Sequence, residues 1–365
     1  MHIVIFGLTV SSSWGNGHAT LWRALLKALS KRHHTATFYE RDVSYYADTR
    51  DSWIPPRGIR LRLYSSFDEI RAEALRDLNS ADLGMFTSYC PDGPAAAELI
   101  LSSNATIKCF YDLDTPVTLT SLRGGEPVAY LPSGGLRDFD VVLSYTGGRA
   151  LTELQAHLGA QAVAPLYGSV DPEAHFPVSP LDDFRGILSY LGTFAADRQH
   201  ALETLFLEPA RRMPGEKFQL AGAQYPDSFA RLPNIAFVSH LAPHLHPAFF
   251  CSSRATLNIT RGAMAQYGYC PSGRLFEAAA CGVPIVSDGW DGMHMFFTPG
   301  EEILRVDTPE DVIEALSLPN SDLLRIAEAA RERTLANHTA ERRVMELEGI
   351  CDRLSDRMEA ASESI

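Results

Sequence analysis

A single carboxylate, Glu277, stands in the segment Cys270-Pro271-Ser272-Gly273-Arg274-Leu275-Phe276-Glu277-Ala278-Ala279-Ala280-Cys281-Gly282-Val283-Pro284-Ile285-Val286-Ser287-Asp288. The pattern predicts a short helix that carries the acid, a stop at Gly282, and a buried strand from 283 to 286. Small residues after Glu277 let such a helix pack closely. A lone carboxylate facing the carboxyl ends of a parallel sheet accepts hydrogen bonds from sugar hydroxyls, and a ribose diol suits it. The plain alternative is an acid stabilised by the helix dipole.

Other residues offer chemistry of different kinds. The loop Ser11-Ser12-Ser13-Trp14-Gly15-Asn16-Gly17-His18 follows the first strand, and its glycines permit close approach of a ligand or phosphate to backbone amides. A glycine-rich turn with a capping histidine is its bland reading. Asp112 and Asp114, in Tyr111-Asp112-Leu113-Asp114-Thr115-Pro116, are two carboxylates one residue apart at a strand end. They suit a general base or a hydroxyl acceptor, or equally an Asx turn before proline. With His18 they form the candidate catalytic set.

An anionic leaving group needs positive charge, because charge grows there as its bond breaks. Arg261 and Arg274 lead into the Glu277 segment, and Arg198 is a third candidate; surface ion pairing is the commoner fate of arginine. Ser272, Gly273, Gly192, Asp288 and Gly289 complete this set of candidate binding residues. His240, His244 and His246 have loosely metal-like spacing, but Pro243 and Pro247 interrupt any helix face, so they read as loop residues and no metal site is expected. No cofactor is expected either, since Gly7 is followed by Leu8 and Thr9 rather than by a dinucleotide-binding glycine pattern.

The Pro-Ser-x-Arg-x-Phe-Glu form of residues 271–277 resembles the nucleotide-sugar signature of family-4 glycosyltransferases, and more closely that of the spore-maturation CgeB-like glycosyltransferases. Gly168-Ser169-Val170-Asp171 resembles the hinge of these enzymes, and Phe297-Thr298-Pro299-Gly300-Glu301-Glu302 their stretch after the signature. Many family-4 members carry a second Glu upstream, where this chain has Tyr269. The resemblance implies a GT-B architecture of two Rossmann-like domains facing a cleft. It implies a nucleoside diphosphate sugar as donor, a UDP-sugar by preference, whose ribose Glu277 holds. Contacts to acceptor or phosphate would fall on Ser13, Trp14, Gly15, Asn16 and Gly17. Retention without a metal is implied as well, while inversion with Asp112 or Asp114 as base stays open. A nucleotide-sugar epimerase and a non-catalytic nucleotide- or sugar-binding protein are the alternatives. The acceptor, whether glycan, protein or small molecule, has no motif, and neither has an oligomeric state.

These residues need a scaffold, and composition bounds it. The chain has 365 residues, 45% hydrophobic and 21% charged, which suits two α/β domains better than one core. A net charge of −13 disfavours a nucleic-acid partner. No apolar run spans a bilayer, and six scattered cysteines without Cys-x-x-Cys spacing point to a reducing cytoplasm.

Strands are predicted at 2–6, 35–39, 82–87, 107–111 and 141–144, alternating with helices such as 19–31, 94–101 and 149–157. After the proline-rich stretch 171–180 the alternation restarts, with strands at 187–191, 218–221, 235–238, 256–259, 283–286 and 303–306 and an amphipathic helix at 198–212. The expected fold is α/β, a doubly wound parallel sheet used twice. Its expected domains are an acceptor domain at 1–170, a donor domain at 171–338, and a carboxyl-terminal helix at 339–365 that packs back on the first.

Overall fold

The computed structural model describes residues 1–15, 17–227, 229 and 232–363, so Asn16 lies outside the described residues. The chain divides into two compact units. The first holds residues 1–13, 17–167 and the carboxyl-terminal segment from Ala340; the second holds 168–339 together with Trp14 and Gly15.

In the first unit, seven strands form a wholly parallel sheet: β1 (His2–Gly7), β2 (Thr35–Arg41), β3 (Ile59–Tyr64), β4 (Leu83–Thr87), β5 (Ile107–Asp112), β6 (Val141–Ser144) and β7 (Val163–Pro165). Their order is β3-β2-β1-β4-β5-β6-β7. The order reverses between β1 and β4, and such a switch point opens a crevice at the carboxyl ends of the strands. Ile3, Ile5, Met85, Cys109, Tyr111 and Leu143 bury one sheet face beneath Trp22, Leu25, Leu26 and Leu29 of the helix His18–Lys31. The same core takes Ala340, Val344, Leu347, Ile350 and Cys351 from the last helix, Ala340–Glu363. Arg32 and His34 hold Glu348 of that helix, with Arg32 Nη2 2.7 Å and His34 Nε2 2.6 Å from its carboxylate.

The second unit repeats the plan with six parallel strands: β8 (Gly186–Leu191), β9 (Phe218–Ala221), β10 (Ile235–Val238), β11 (Ser253–Asn258), β12 (Ile285–Ser287) and β13 (Leu304–Arg305). Their order, β10-β9-β8-β11-β12-β13, places a second switch point between β8 and β11. Leu188, Tyr190, Leu220, Ala255, Leu257 and Val286 pack against Leu202, Leu205, Phe206 and Ala210. The helix expected over 198–212 is interrupted: a π turn spans Glu203–Leu207 between α-helical Gln199–Leu202 and Glu208–Arg212. Pro209 lacks the amide that would continue a regular ladder, a physical reason for the change of winding. Among the described residues no helix is long and apolar enough to cross a membrane.

Candidate functional site

The crossover from β11 to β12 begins at the carboxyl edge of the sheet and carries the helices Gly262–Tyr267 and Gly273–Ala280. Ser272 is the N-cap of the second, its hydroxyl accepting from the Arg274 amide at 3.3 Å. Gly282, in the left-handed region at φ +68°, ends the turn after the helix. The strand then starts at Ile285, two residues later than the apolar run suggests, because Gly282 and Pro284 shape the connection.

Glu277 is one helical turn beyond Arg274 and is 3% exposed. Arg274 Nη1 donates to its Oε2. Burial opposes ionisation of Glu277, but the Arg274 guanidinium holds its pKa below the usual carboxylate range, and two imidazoles stand beside it. Those imidazoles belong to His175 and His246, whose Nε2 and Nδ1 respectively stand 3.9 Å and 3.9 Å from Oε2. Both histidines are buried. Desolvation lowers the pKa of each, His246 to about 3, so both are neutral at pH 7. The site is therefore an ion pair backed by two uncharged rings, with a carboxylate able to accept further hydrogen bonds.

The histidine reading of the sequence is corrected here. His246 is not a loop residue; it opens the helix His246–Cys251. Among the described residues the cluster of metal-ligating type is His175, His246 and Glu277, not His240, His244 and His246. His240 instead has its ring 4.6 Å from that of Trp14.

Asp288 follows β12, and burial raises its pKa despite hydrogen bonds from Thr260. Its two oxygens each accept from the Thr260 amide at 3.0 Å, which ties the loop after β11 to the loop after β12. At neighbouring Gly289 a Cβ would stand 2.4 Å from Arg305 Nε, so only glycine leaves that guanidinium in place. Arg261 lies 3.4 Å from Asp197, whose carboxylate also takes the Gly262 amide at 3.0 Å. Arg198 donates to the Thr193 carbonyl, just after Gly192, whose amide pairs with Ala221 at 2.9 Å. Arg198, Arg261 and Gly192 thus gather at the ends of β8 and β11, the switch point of this unit. Gly273 is the first residue of the Glu277 helix.

In the first unit, the amides expected to meet a ligand are partly spoken for. Glu40, 1% exposed at the end of β2, accepts from the amides of Val10 (2.7 Å) and Ser11 (3.0 Å) and from the Thr9 hydroxyl (2.9 Å). The Ser13 amide donates to Asp51 at 2.8 Å, and Arg23 holds the same carboxylate at 2.7 Å. The amides of Val10, Ser11 and Ser13 are thus taken by protein carboxylates, and that of Ser12 by the Thr9 hydroxyl. Gly15 adopts φ +67°, and Gly17 is the N-cap of the first helix.

The two aspartates have separate roles. β5 ends at Asp112, so Asp114 lies beyond the strand as the N-cap of the helix Thr115–Arg123. Its amide donates to Asp112 Oδ1 at 3.0 Å. Asp112 is fully buried; desolvation and then the charge of Asp114 push its pKa up to about 7. Asp114 Oδ2 meets His18 Nε2 at 2.9 Å and the Ser88 hydroxyl at 3.3 Å. The loops after β1, β4 and β5 therefore meet in a His–Asp–Ser cluster at the first switch point.

Glu40, Asp51, Ser88 and His175 are site residues that sequence reasoning missed. For Glu40 a signal existed, a charge closing the apolar strand Phe38-Tyr39-Glu40. His175 had none, because no periodicity links it to Glu277.

Comparison with known proteins agrees with this picture. The model of the glycosyl transferase-like family matches residues 198–349. No curated protein sequence matches the chain. Sucrose-phosphate synthase from Thermosynechococcus elongatus has a similar structure, with a TM-score of 0.69 at 14% identity over 99% of both chains. HepE from Anabaena in complex with UDP and glucose follows, with a TM-score of 0.65 at 13% identity over 100% of both chains. An α-glucosyltransferase in complex with UDP gives 0.68 at 13% identity, over 96% of this chain and 100% of the other. The fold is that of the GT-B glycosyltransferases, with a glycosyl transferase-like domain over residues 198–349.

Proposed function

We propose that this protein transfers a sugar from a nucleoside diphosphate donor, a UDP-sugar, to a hydroxyl acceptor, with retention of configuration and without a metal ion. The observation that carries the reading is Glu277: buried, ionised and paired with Arg274, on the second helix of the β11–β12 crossover inside the segment that matches a glycosyl transferase-like family. An ionised carboxylate of this kind accepts both hydroxyls of a ribose. The UDP and UDP-glucose bound to structural relatives support the choice of base.

In the reaction, the bond from the anomeric carbon to the β-phosphate oxygen breaks and one to the acceptor oxygen forms. The acceptor proton passes to the departing phosphate, so no protein nucleophile is needed. Arg198 and Arg261 are the candidate partners for the diphosphate, where negative charge grows. The six free cysteines suit a reducing compartment, the cytoplasm.

A second reading rests on one observation, the 2.9 Å contact of His18 with Asp114. Such a pair can take the acceptor proton itself, which would accompany inversion. Incubation with a panel of nucleotide sugars, with and without acceptor mixtures, tests the proposal. Acceptor-dependent release of UDP supports transfer, and the anomeric configuration of the product, read by NMR, separates retention from inversion. Isomerised sugar nucleotide without acceptor would mean an epimerase, binding without turnover a non-catalytic protein. Neither binding nor turnover with any nucleotide sugar sinks the reading.

A further inference from the structure

Three buried polar atoms of the second unit face one another: Glu277 Oε2, His175 Nε2 and His246 Nδ1. All lie within 4.8 Å of one another. Neither ring nitrogen of His175, nor Nδ1 of His246, has a hydrogen-bond partner in the protein. Burial of one such group without a partner costs on the order of 1–3 kcal/mol, so the two that stand beside one carboxylate oxygen, His175 Nε2 and His246 Nδ1, mark a place made for an occupant.

The chemistry of that occupant follows from the tautomers. His246 Nε2 stands 3.3 Å from the Leu241 carbonyl, which only accepts, so the proton of this neutral ring is on Nε2. Nδ1 is then a bare lone pair. Oε2 is an acceptor too, and two acceptors 3.9 Å apart need a group with hydrogen to give. His175, with no other partner to fix its tautomer, is able to donate from Nε2. Oε2 already accepts from Arg274, so the set calls for one donated hydrogen, directed at Nδ1 and Oε2, and one accepted from His175, which is the bonding of a hydroxyl-type oxygen.

Distance decides between such an oxygen and a metal ion. An oxygen about 2.8 Å from each of two atoms sees them 3.9 Å apart at an angle of about 90°, which suits hydrogen bonds. A zinc ion at about 2.0–2.1 Å from the same atoms would have to open that angle to about 140°, far from tetrahedral. Arg274 on the same Oε2 adds a positive charge that opposes a cation.

We infer that His175, His246 and Glu277 form a hydroxyl-binding nook in which the two histidines are positioning residues for the carboxylate. The oxygen they hold comes either from a ribose hydroxyl of the donor or from a water that locks Glu277 in place. The inference rests on the proposed nucleotide-sugar reading for its first source and on the local geometry alone for its second.

The test measures Kd for UDP, 2′-deoxy-UDP and 3′-deoxy-UDP on the intact protein and on H246F, H175F and the conservative H246N. A ribose source predicts that one deoxy analogue binds the parent on the order of tenfold more weakly than UDP, with the difference lost in H246F and recovered in part in H246N. A water source predicts equal binding of the three nucleotides to the parent and a uniform loss of about tenfold in both phenylalanine variants at unchanged melting temperature. Variants that bind all three nucleotides like the parent overturn the inference. If UDP binds to no form of the protein, the functional reading fails by itself. The nook is then judged by a high-resolution crystal structure. An oxygen within hydrogen-bond distance of Glu277 Oε2 and His246 Nδ1 upholds it, and its absence overturns it.

Discussion

The imidazole Nε2 of His18 stands 2.9 Å from Oδ2 of Asp114, so the first residue of one helix meets the N-cap of another across the switch point of the first sheet. Ser88 reaches the same oxygen from the loop after β4. A carboxylate in this position fixes the tautomer of the ring and leaves its other nitrogen as a lone pair. That is what a proton acceptor for a substrate hydroxyl requires.

His18→Ala and Asp114→Asn are therefore expected to lower kcat by about 10²–10⁴, with the KM for donor little changed, if this pair takes the acceptor proton. Steady-state kinetics with saturating acceptor checks it. Parent-like turnover in both variants would make the pair a cap for the helix and leave proton removal to the leaving phosphate.

Glu277→Gln keeps the shape of the side chain and removes its charge. The variant should bind UDP more weakly, by about 10–100-fold, as expected for loss of hydrogen bonds to a charged group. Its Arg274 partner is left uncompensated, so part of the loss reflects that charge rather than the ribose contact. Calorimetry with UDP, together with a circular dichroism melt that shows an intact fold, measures the effect. Equal affinity of variant and parent would remove Glu277 from the donor site.

The central strands of the fold were legible because parallel strands buried on both faces are continuous apolar runs, as in Ile3-Val4-Ile5-Phe6 and Val141-Val142-Leu143. The edge strand β3, Ile59–Tyr64, was not seen, since Arg60 and Arg62 alternate with its apolar residues and pair with Glu73, Asp77 and Glu69 outside the core. Glu277 could be found from its small-residue helix and glycine stop. Its neighbours could not: His175 comes from an irregular segment and His246 from a proline-broken one, and only the fold brings them together. The partners of the amides after β1 were hidden for the same reason, because Glu40 and Asp51 lie on later segments.

Asp112 gives a prediction about pH. Its pKa is raised from the ordinary aspartate value of 3.8 to about 7 in the folded chain, by burial first and Asp114 second. Between these values the folded state binds the proton and the unfolded state does not, so stability falls as pH rises from about 4 to about 7. The magnitude is on the order of a few kcal/mol. Asp112→Asn should abolish that slope and melt at higher temperature than the parent at pH 8. Parallel melting profiles of the two proteins across pH 4–8 would show that Asp112 ionises normally.

The last helix belongs to the core of the first unit, and this makes it open to a direct test. Glu348 accepts from Arg32 at 2.8 and 2.7 Å and from His34 at 2.6 Å, and these contacts, Arg32 first, hold its pKa below the usual range. A lowered acid contributes stability at neutral pH that disappears as pH falls through its folded-state pKa. Glu348→Ala should therefore cost about 1 kcal/mol at pH 7 and almost nothing near pH 3. Removal of residues 340–365 is a larger change. It exposes the surface buried by Val344, Leu347 and Ile350, each contributing about 1.5–3 kcal/mol, a sum comparable to the whole stability of a typical domain, about 5–15 kcal/mol. The truncated chain is expected to lose cooperative melting of the first unit while the second unit, residues 168–339, still folds. Amide hydrogen exchange distinguishes the outcomes: protection lost in β1, β4 and β5 but kept in β8 and β11 supports the docking role, and full protection in both sheets contradicts it.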